Sequence, residues 1–221
     1  MALFHPPHVM VTTNNQVFGF DISMMRTICE ELNVKCNFKP MPFSKIIPAI
    51  MNNEVDAGIG AITITLARAK DVDFSFPYLP SYAHIMTSTN TISEYGNTLD
   101  FKKIQFGALK GTVYFQTLKD MNIPDENITI YDTEPELLSA LHDADIDTII
   151  LDNPTAQFWD TQSPLFVEYG SAFIVGNGLG IAVSKNNQAL LEDINKAMSV
   201  YLQSPKFNKH YTTFIKPLFE E

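Results

Sequence analysis

The sequence predicts an α/β protein built of two similar lobes. Short apolar runs alternate with segments of helical periodicity along the chain. The stretches 55–68 and 146–153 are each preceded by a helix and a strand of like length, and the chain reads as leaving the first lobe near residues 83–90 and returning near 174–178. Two crossings of this kind make a hinge. The lobes are accordingly placed at 1–88 with 176–221, and at 89–175.

The elements follow in order. Residues 21–32 carry apolar side chains at 22, 25, 28, 29 and 32, the spacing of a helix, and 34–38 alternate like a strand. Residues 43–53 read as a helix with Ile46, Ile47, Ile50 and Met51 on one face; Pro48 is compatible with that only in a first turn. A short buried strand is expected at 55–60, with further strands at 83–87 and 104–109. The last of these leads into Lys110-Gly111-Thr112 and a helix over 113–121. A strand at 128–131, a helix at 134–142 and the apolar strand 148–151 closed by Asp152 come next. Residues 178–184 read as a strand and 188–203 as an amphipathic helix with Leu190, Leu191, Ile194, Ala197, Met198 and Tyr201 inward, packing on the first lobe.

Composition narrows the function. A chain of 221 residues with 45% apolar and 11% aromatic side chains fills a substantial core. It contains no apolar run of about 18 residues that could span a bilayer. No basic region followed by an apolar stretch opens it, so a signal peptide is read as absent or already removed. The formal charge of −10, without any basic cluster, argues against a nucleic-acid surface. The histidines at 5, 8, 84, 142 and 210 lack metal-ligand spacing, and His5 with His8 reads as a polar loop. Asp143, Asp145 and Asp147 read as an acidic loop entering a strand rather than a calcium loop. Asn127-Ile128-Thr129 has glycosylation spacing, but no phosphate cradle and no nucleophile elbow is present.

Residues 61–68 carry the clearest chemistry: a β-branched apolar run ends in Thr63 and Thr65, and Arg68 lies one helical turn on. Threonines can cap a helix starting near Thr65, whose free N–H groups and dipole favour an anion. Arg68 would add a planar two-pronged donor suited to a carboxylate. The same eight residues also fit a capped surface helix with a solvated arginine. Cys29 and Cys36 admit either a disulfide, which would mean an oxidising compartment, or two separate buried thiols.

Taken together, the chain resembles periplasmic solute-binding proteins of the polar amino-acid family (bacterial extracellular solute-binding proteins, family 3), which feed ATP-driven ABC importers. The pieces that carry the resemblance are Gly19-Phe20-Asp21-Ile22, Phe43 with Ile47-Pro48-Ala49-Ile50, Val55-Asp56-Ala57, and Thr63-Ile64-Thr65 with Arg68. Further pieces are residues 72–78, Gly107 through Gly111-Thr112, residues 147–152 and 180–185, all in the family's order. The resemblance implies the type II periplasmic-binding-protein fold, each lobe a mixed sheet flanked by helices, joined by a two-strand hinge. It also implies a periplasmic monomer that closes on an L-amino acid, polar or basic, and delivers it to a membrane permease, with no cofactor, metal or catalysis. Cys29 and Cys36 coincide with a disulfide position of basic amino-acid binders.

An α-amino acid presents a carboxylate and an ammonium on one carbon, so a binder needs a fixed cation and a fixed anion facing across a cleft. The resemblance assigns the carboxylate to Arg68, helped by Thr63, its neighbour Ala61, and the backbone at Thr112 and Val113. The ammonium falls to Asp152, for which a helix cap or a turn former before Asn153-Pro154 is the plainer alternative. Phe43 and Phe4 match the aromatics that sandwich the ligand side chain. One departure concerns the start: family members open with a strand, followed by an acid that reads a cationic side chain, whereas here Met1-Ala2-Leu3 alone precede Phe4-His5-Pro6-Pro7. Gly60 and Ala61 also stand where basic binders carry hydroxyls, which leaves a less polar ligand open. Two rival functions stand beside this one: the ligand-sensing domain of a membrane receptor, and an enzyme resembling cyclohexadienyl dehydratases, for which Asp160 and Glu168 are the nearest further acids.

Overall fold

Two sheets, one of three strands and one of five, each collect their own apolar core. The structure is a computed structural model and describes residues 1–96 and 98–218. It resolves into two units: Met1–Ser81 with the chain from Gly176 onward, and Tyr82–Val175.

In the first unit β1 (Met10–Val11) and β2 (Val17–Phe18) pair antiparallel and lead into α1 (Phe20–Glu31), which buries Phe20, Ile22, Met24 and Ile28. Gly19 precedes α1 at φ +126°, and a Cβ there would lie 2.4 Å from the His8 carbonyl oxygen. Phe43–Lys45 form a single 3-10 turn running into α2 (Ile46–Met51), where Pro48 occupies the first turn and so gives up no intrahelical hydrogen bond. Next come β3 (Ala57–Gly58) and β4 (Val72–Phe74).

The second unit runs β5 (Tyr82–Ser88), α3 (Thr89–Tyr95), β6 (Phe106–Leu109), α4 (Tyr114–Asp120), β7 (Ile128–Tyr131), α5 (Glu134–His142), β8 (Thr148–Asp152), α6 (Asn153–Gln162) and β9 (Phe166–Ile174). The sheet order is β7-β6-β8-β5-β9; β7, β6 and β8 are parallel, and β5 is antiparallel to both its neighbours. Residues 82–88, placed with the first lobe on sequence grounds, lie in this unit because β5 pairs along its length with β8 and β9. Ser88 caps α3 by accepting the Thr91 N–H, and Thr133 with Glu136 forms a reciprocal capping box on α5. The chain then returns to the first unit as β10 (Ala182–Ser184), antiparallel between β3 and β4, and ends with α7 (Gln188–Leu202) and α8 (Pro205–Phe214) packed against α1.

One expected strand does not form. Residues 34–39 carry no ladder. A cavity of about 550 Å³ lies beside them, lined by Leu32, Phe38, Val55 and Ala57 among others, and the nearest pairing is the parallel bridge of Ala2 with Met41. Alternating side chains make a strand only where a neighbouring backbone supplies partners. The alternatives left open for the cysteines resolve into a Cys29–Cys36 disulfide, Cα to Cα 5.9 Å, tying the end of α1 to this segment.

The polar loop expected at His5 and His8 is instead buried, because His8 faces a carboxylate in the core. Asp21, in the first turn of α1, is fully buried; its Oδ1 lies 3.0 Å from His8 Nδ1. Its Oδ2 accepts the Gly60 and Ala61 N–H groups, each at 2.9 Å, and the Tyr78 hydroxyl at 2.8 Å. Burial alone would push this carboxyl up, but the imidazole of His8 and the donors from Ala61 and Tyr78 outweigh it and hold it below its ordinary value. A carboxyl depressed by folding adds stability that is complete above the ordinary value of 3.8 and is lost as pH falls through the folded-state value.

Two outcomes are expected. Asp21→Asn should lower stability at pH 7 by about 3–5 kcal/mol, since it breaks a buried ionic network, and should flatten the acid limb of a urea-midpoint-against-pH curve. Replacing Cys29 and Cys36 by Ala should cost about 2.5 kcal/mol from loop entropy, read as a melting temperature about 5–10 °C lower.

Candidate functional site

In the first unit the candidate residues sit on the segment that Asp21 holds. Gly60 and Ala61 hand their N–H groups to that carboxylate, and Ala61 adopts φ +52°, a left-handed conformation rare for alanine. Its own N–H is thereby committed to the anchor. Beyond this turn the backbone runs antiparallel to 177–180: Gly180 N–H donates to Ile62 O at 3.0 Å, Ile64 N–H to Gly178 O at 2.8 Å, and Thr63 bridges Leu179. Thr63 is buried and its hydroxyl lies 3.2 Å from that of Ser81.

The helix expected from Thr65 is a single 3-10 turn, Arg68–Lys70. Thr65 braces its approach, though the N-cap position falls on Ala67: the Thr65 hydroxyl accepts the Arg68 N–H at 3.2 Å and its carbonyl accepts the Ala69 N–H at 2.9 Å. The chain cannot continue helically, because Val72 enters β4 beside β10. The Arg68 side chain folds back instead of extending into solvent. Its Nη1 donates to the Thr63 carbonyl at 2.7 Å, and its guanidinium carbon stands 5.4 Å from the Phe43 ring centre. Phe43 is partly buried and packs against the core around Met41, Ile46 and Ile50 as well as lying under the arginine. Thr63, Arg68 and Phe43 thus form one cluster. Phe4 is half-buried in the same unit, between the Ala2 bridge and His5.

In the second unit β6 and β8 lie side by side and parallel, so their carboxyl ends fall on the same edge of the sheet. In open α/β sheets this is the edge where ligands bind. At the end of β6 the chain turns through Gly111, φ +81°. The Thr112 N–H and hydroxyl both donate to the Leu109 carbonyl, at 3.2 and 2.6 Å, and Val113 serves as the N-cap of α4. At the end of β8 stands Asp152, buried at 5% exposure and in register with Ala83 of β5. It holds the N-cap position of α6 with extended backbone, without a cap hydrogen bond from its side chain.

Sequence reasoning passed over two groups. The Asp21 network left no local signal, since its members lie 13, 39, 40 and 57 residues apart in the chain. The other is a polar cluster next to Asp152. His84 is buried on β5, with Nδ1 2.9 Å from both Asn153 Oδ1 and Glu168 Oε1 and Nε2 3.1 Å from the Gly170 carbonyl. Among the described residues no three His, Cys, Asp or Glu side chains gather as a metal site, and no helix is long and apolar enough to cross a membrane.

Comparison with known proteins agrees with this architecture. Residues 2–217 match the bacterial extracellular solute-binding proteins, family 3. The arginine-binding periplasmic protein of Mannheimia haemolytica is 30% identical over 212 residues, covering 94% of this chain and 86% of that protein. The ABC transporter arginine-binding protein 1 of Escherichia coli K12 is 28% identical over 212 residues, covering 93% and 84%. A solved ancestral arginine-binding protein bound to arginine superposes with a TM-score of 0.86 at 30% identity, over 96% of this chain and 94% of that one. The fold is the type II periplasmic-binding-protein fold. With a match that runs almost from end to end, the chain belongs to the bacterial extracellular solute-binding proteins of family 3.

Proposed function

We propose that this protein captures an L-amino acid outside the cytoplasmic membrane, arginine or a similar basic amino acid first among them, and delivers it as a monomer to the permease of an ABC importer. The observation that carries the reading is the cluster of Arg68, Thr63 and Phe43. A guanidinium has five N–H donors in a rigid fork. The Thr63 carbonyl and the Phe43 ring fix the plane of that fork, so a carboxylate meets an arginine already oriented.

The carboxylate falls to Arg68 and Thr63, with Ala61 alongside and with the backbone at Thr112 and Val113. The ammonium falls to Asp152. Phe43 and Phe4 take the apolar part of the ligand side chain, and an aromatic face also suits a guanidinium. The net charge of −10 favours the approach of a cationic solute. Two of the relatives named above are arginine-binding proteins, which supports a basic ligand, and the Cys29–Cys36 disulfide suits an oxidising compartment. The role is binding, without covalent chemistry, as in those relatives.

Thermal-shift titration of ligand-stripped protein against the common amino acids, ornithine and citrulline tests the reading. A ligand at about 100 times its Kd adds about 2.7 kcal/mol, a rise of several degrees. Stabilisation confined to basic amino acids is expected; no shift with any amino acid would overturn the proposal. Arg68→Ala should weaken arginine binding by about 2–5 kcal/mol, at least ~30-fold in Kd by calorimetry, and Asp152→Asn by roughly 10- to 150-fold. Binding within twofold of the unsubstituted protein by either variant would remove that residue from the site.

A further inference from the structure

We infer that His84 is a positioning residue for Asp152: its doubly bonded imidazolium clamps the start of α6, so that amino-acid affinity falls when His84 loses its proton. The inference rests on the assignment of Asp152 to the ligand ammonium.

The geometry suits an imidazolium with both ring protons. A neutral imidazole has one N–H and one lone pair, whereas an imidazolium donates at both nitrogens. Nδ1 of His84 faces Asn153 Oδ1 and Glu168 Oε1, each at 2.9 Å, and Nε2 faces the Gly170 carbonyl at 3.1 Å. The Asn153 amide could turn to donate, but a carboxylate and a carbonyl cannot. The Nδ1–H is directed at Asn153, and Glu168, its Oε1 buried, sits beside that bond as the counter-ion. Gly170 lies at φ +74° where the register of β9 shifts opposite Ala83 and Ile85, so the bulge brings its carbonyl to the imidazole.

What the imidazolium holds is the turn that sets Asp152. Asn153 is the first residue of α6 and the next after Asp152, which is itself paired with Ala83, the neighbour of His84. The charged groups facing the ring are Glu168 from β9 and Asp160 from α6; β8 contributes Leu151 opposite it and Asp152 next along the strand. Burial alone would push the imidazole down, but Glu168, Gly170 and Asn153 outweigh it and hold it above the usual 6.5. Burial and the Glu168 charge in turn push the Asp160 carboxyl up. A raised imidazole keeps its clamp intact below 6.5 and loses it as pH climbs through the folded-state value. Loss of the Nδ1 proton then leaves a lone pair facing the Glu168 carboxylate and makes the Asn153 amide turn, which disturbs the start of α6.

The test measures the arginine Kd from pH 5.5 to 8 for the unsubstituted protein, His84→Gln and Glu168→Gln, with the His84 ring protons followed by NMR. His84→Gln cannot titrate, so the ratio of its Kd to that of the unsubstituted protein cancels any titration of the ligand. That ratio should fall roughly fivefold across the range, the low end of typical coupling between sites. Its midpoint should coincide with the ring titration and move to lower pH in Glu168→Gln, a displacement that a merely structural histidine would not show. A ratio that stays constant with pH, or a midpoint unmoved by Glu168→Gln, would overturn the inference while leaving the amino-acid reading intact. Failure of the unsubstituted protein to bind arginine or any other amino acid at any pH would overturn both.

Discussion

The Asp21 carboxylate is the constraint on which the first unit turns. Burying an ionised carboxylate costs several kcal/mol unless its oxygens are fully engaged, and here they meet one imidazole, two backbone N–H groups and one phenol. Those partners come from the N-terminal loop, the turn after β3 and the approach to β5. One side chain at the start of α1 therefore fixes three separate stretches of chain. Thr63 stands two residues beyond the anchored turn, and Arg68 is bonded to the Thr63 carbonyl, so the orientation of the guanidinium traces back to Asp21.

The second unit reaches its arrangement by topology instead of by a buried charge. Parallel pairing of β6 with β8 delivers the Gly111–Val113 turn and Asp152 to one sheet edge, and the fully buried β8 leaves little freedom at its end. At the junction into α6 an extended N-cap turns into a helix. There the polar side chains of β5, β9 and α6 converge.

Much of this was legible in the chain. The 3.6-residue recurrence over α1 and α7 and the apolar runs of β6 and β8 are local signals, and each sits where it was read. The cluster of Thr63, Arg68 and Phe43 could be approached because two of its members lie five residues apart. The rest fails for identifiable reasons. Asn153-Pro154 reads as a turn, yet proline suits the first turn of a helix, and α6 begins there. β9 mixes Glu168, Gly170 and Ser171 and carries a bulge, which destroys alternation. α8 turns Phe207, Tyr211 and Phe214, at helical spacing, onto the core of the first unit, but it is largely polar between them and buries none of its residues fully. Residues 34–39 show that alternation without a neighbouring ladder is not a strand, and His8 shows that a buried polar contact is invisible until the fold brings in its partner.

The anchor at residues 60 and 61 grips main-chain atoms only. At Gly60 that leaves no latitude, since φ is +129° and a Cβ would stand 2.8 Å from that of Ala2. At Ala61, φ +52° is a conformation that asparagine, aspartate and glycine also visit. A substitution at Ala61 thus keeps the N–H that Asp21 needs, and is constrained instead by its buried side chain, which packs in the core of the first unit. Such a division of labour leaves the shape of the turn to main-chain atoms, and the choice of side chain there to the packing around it.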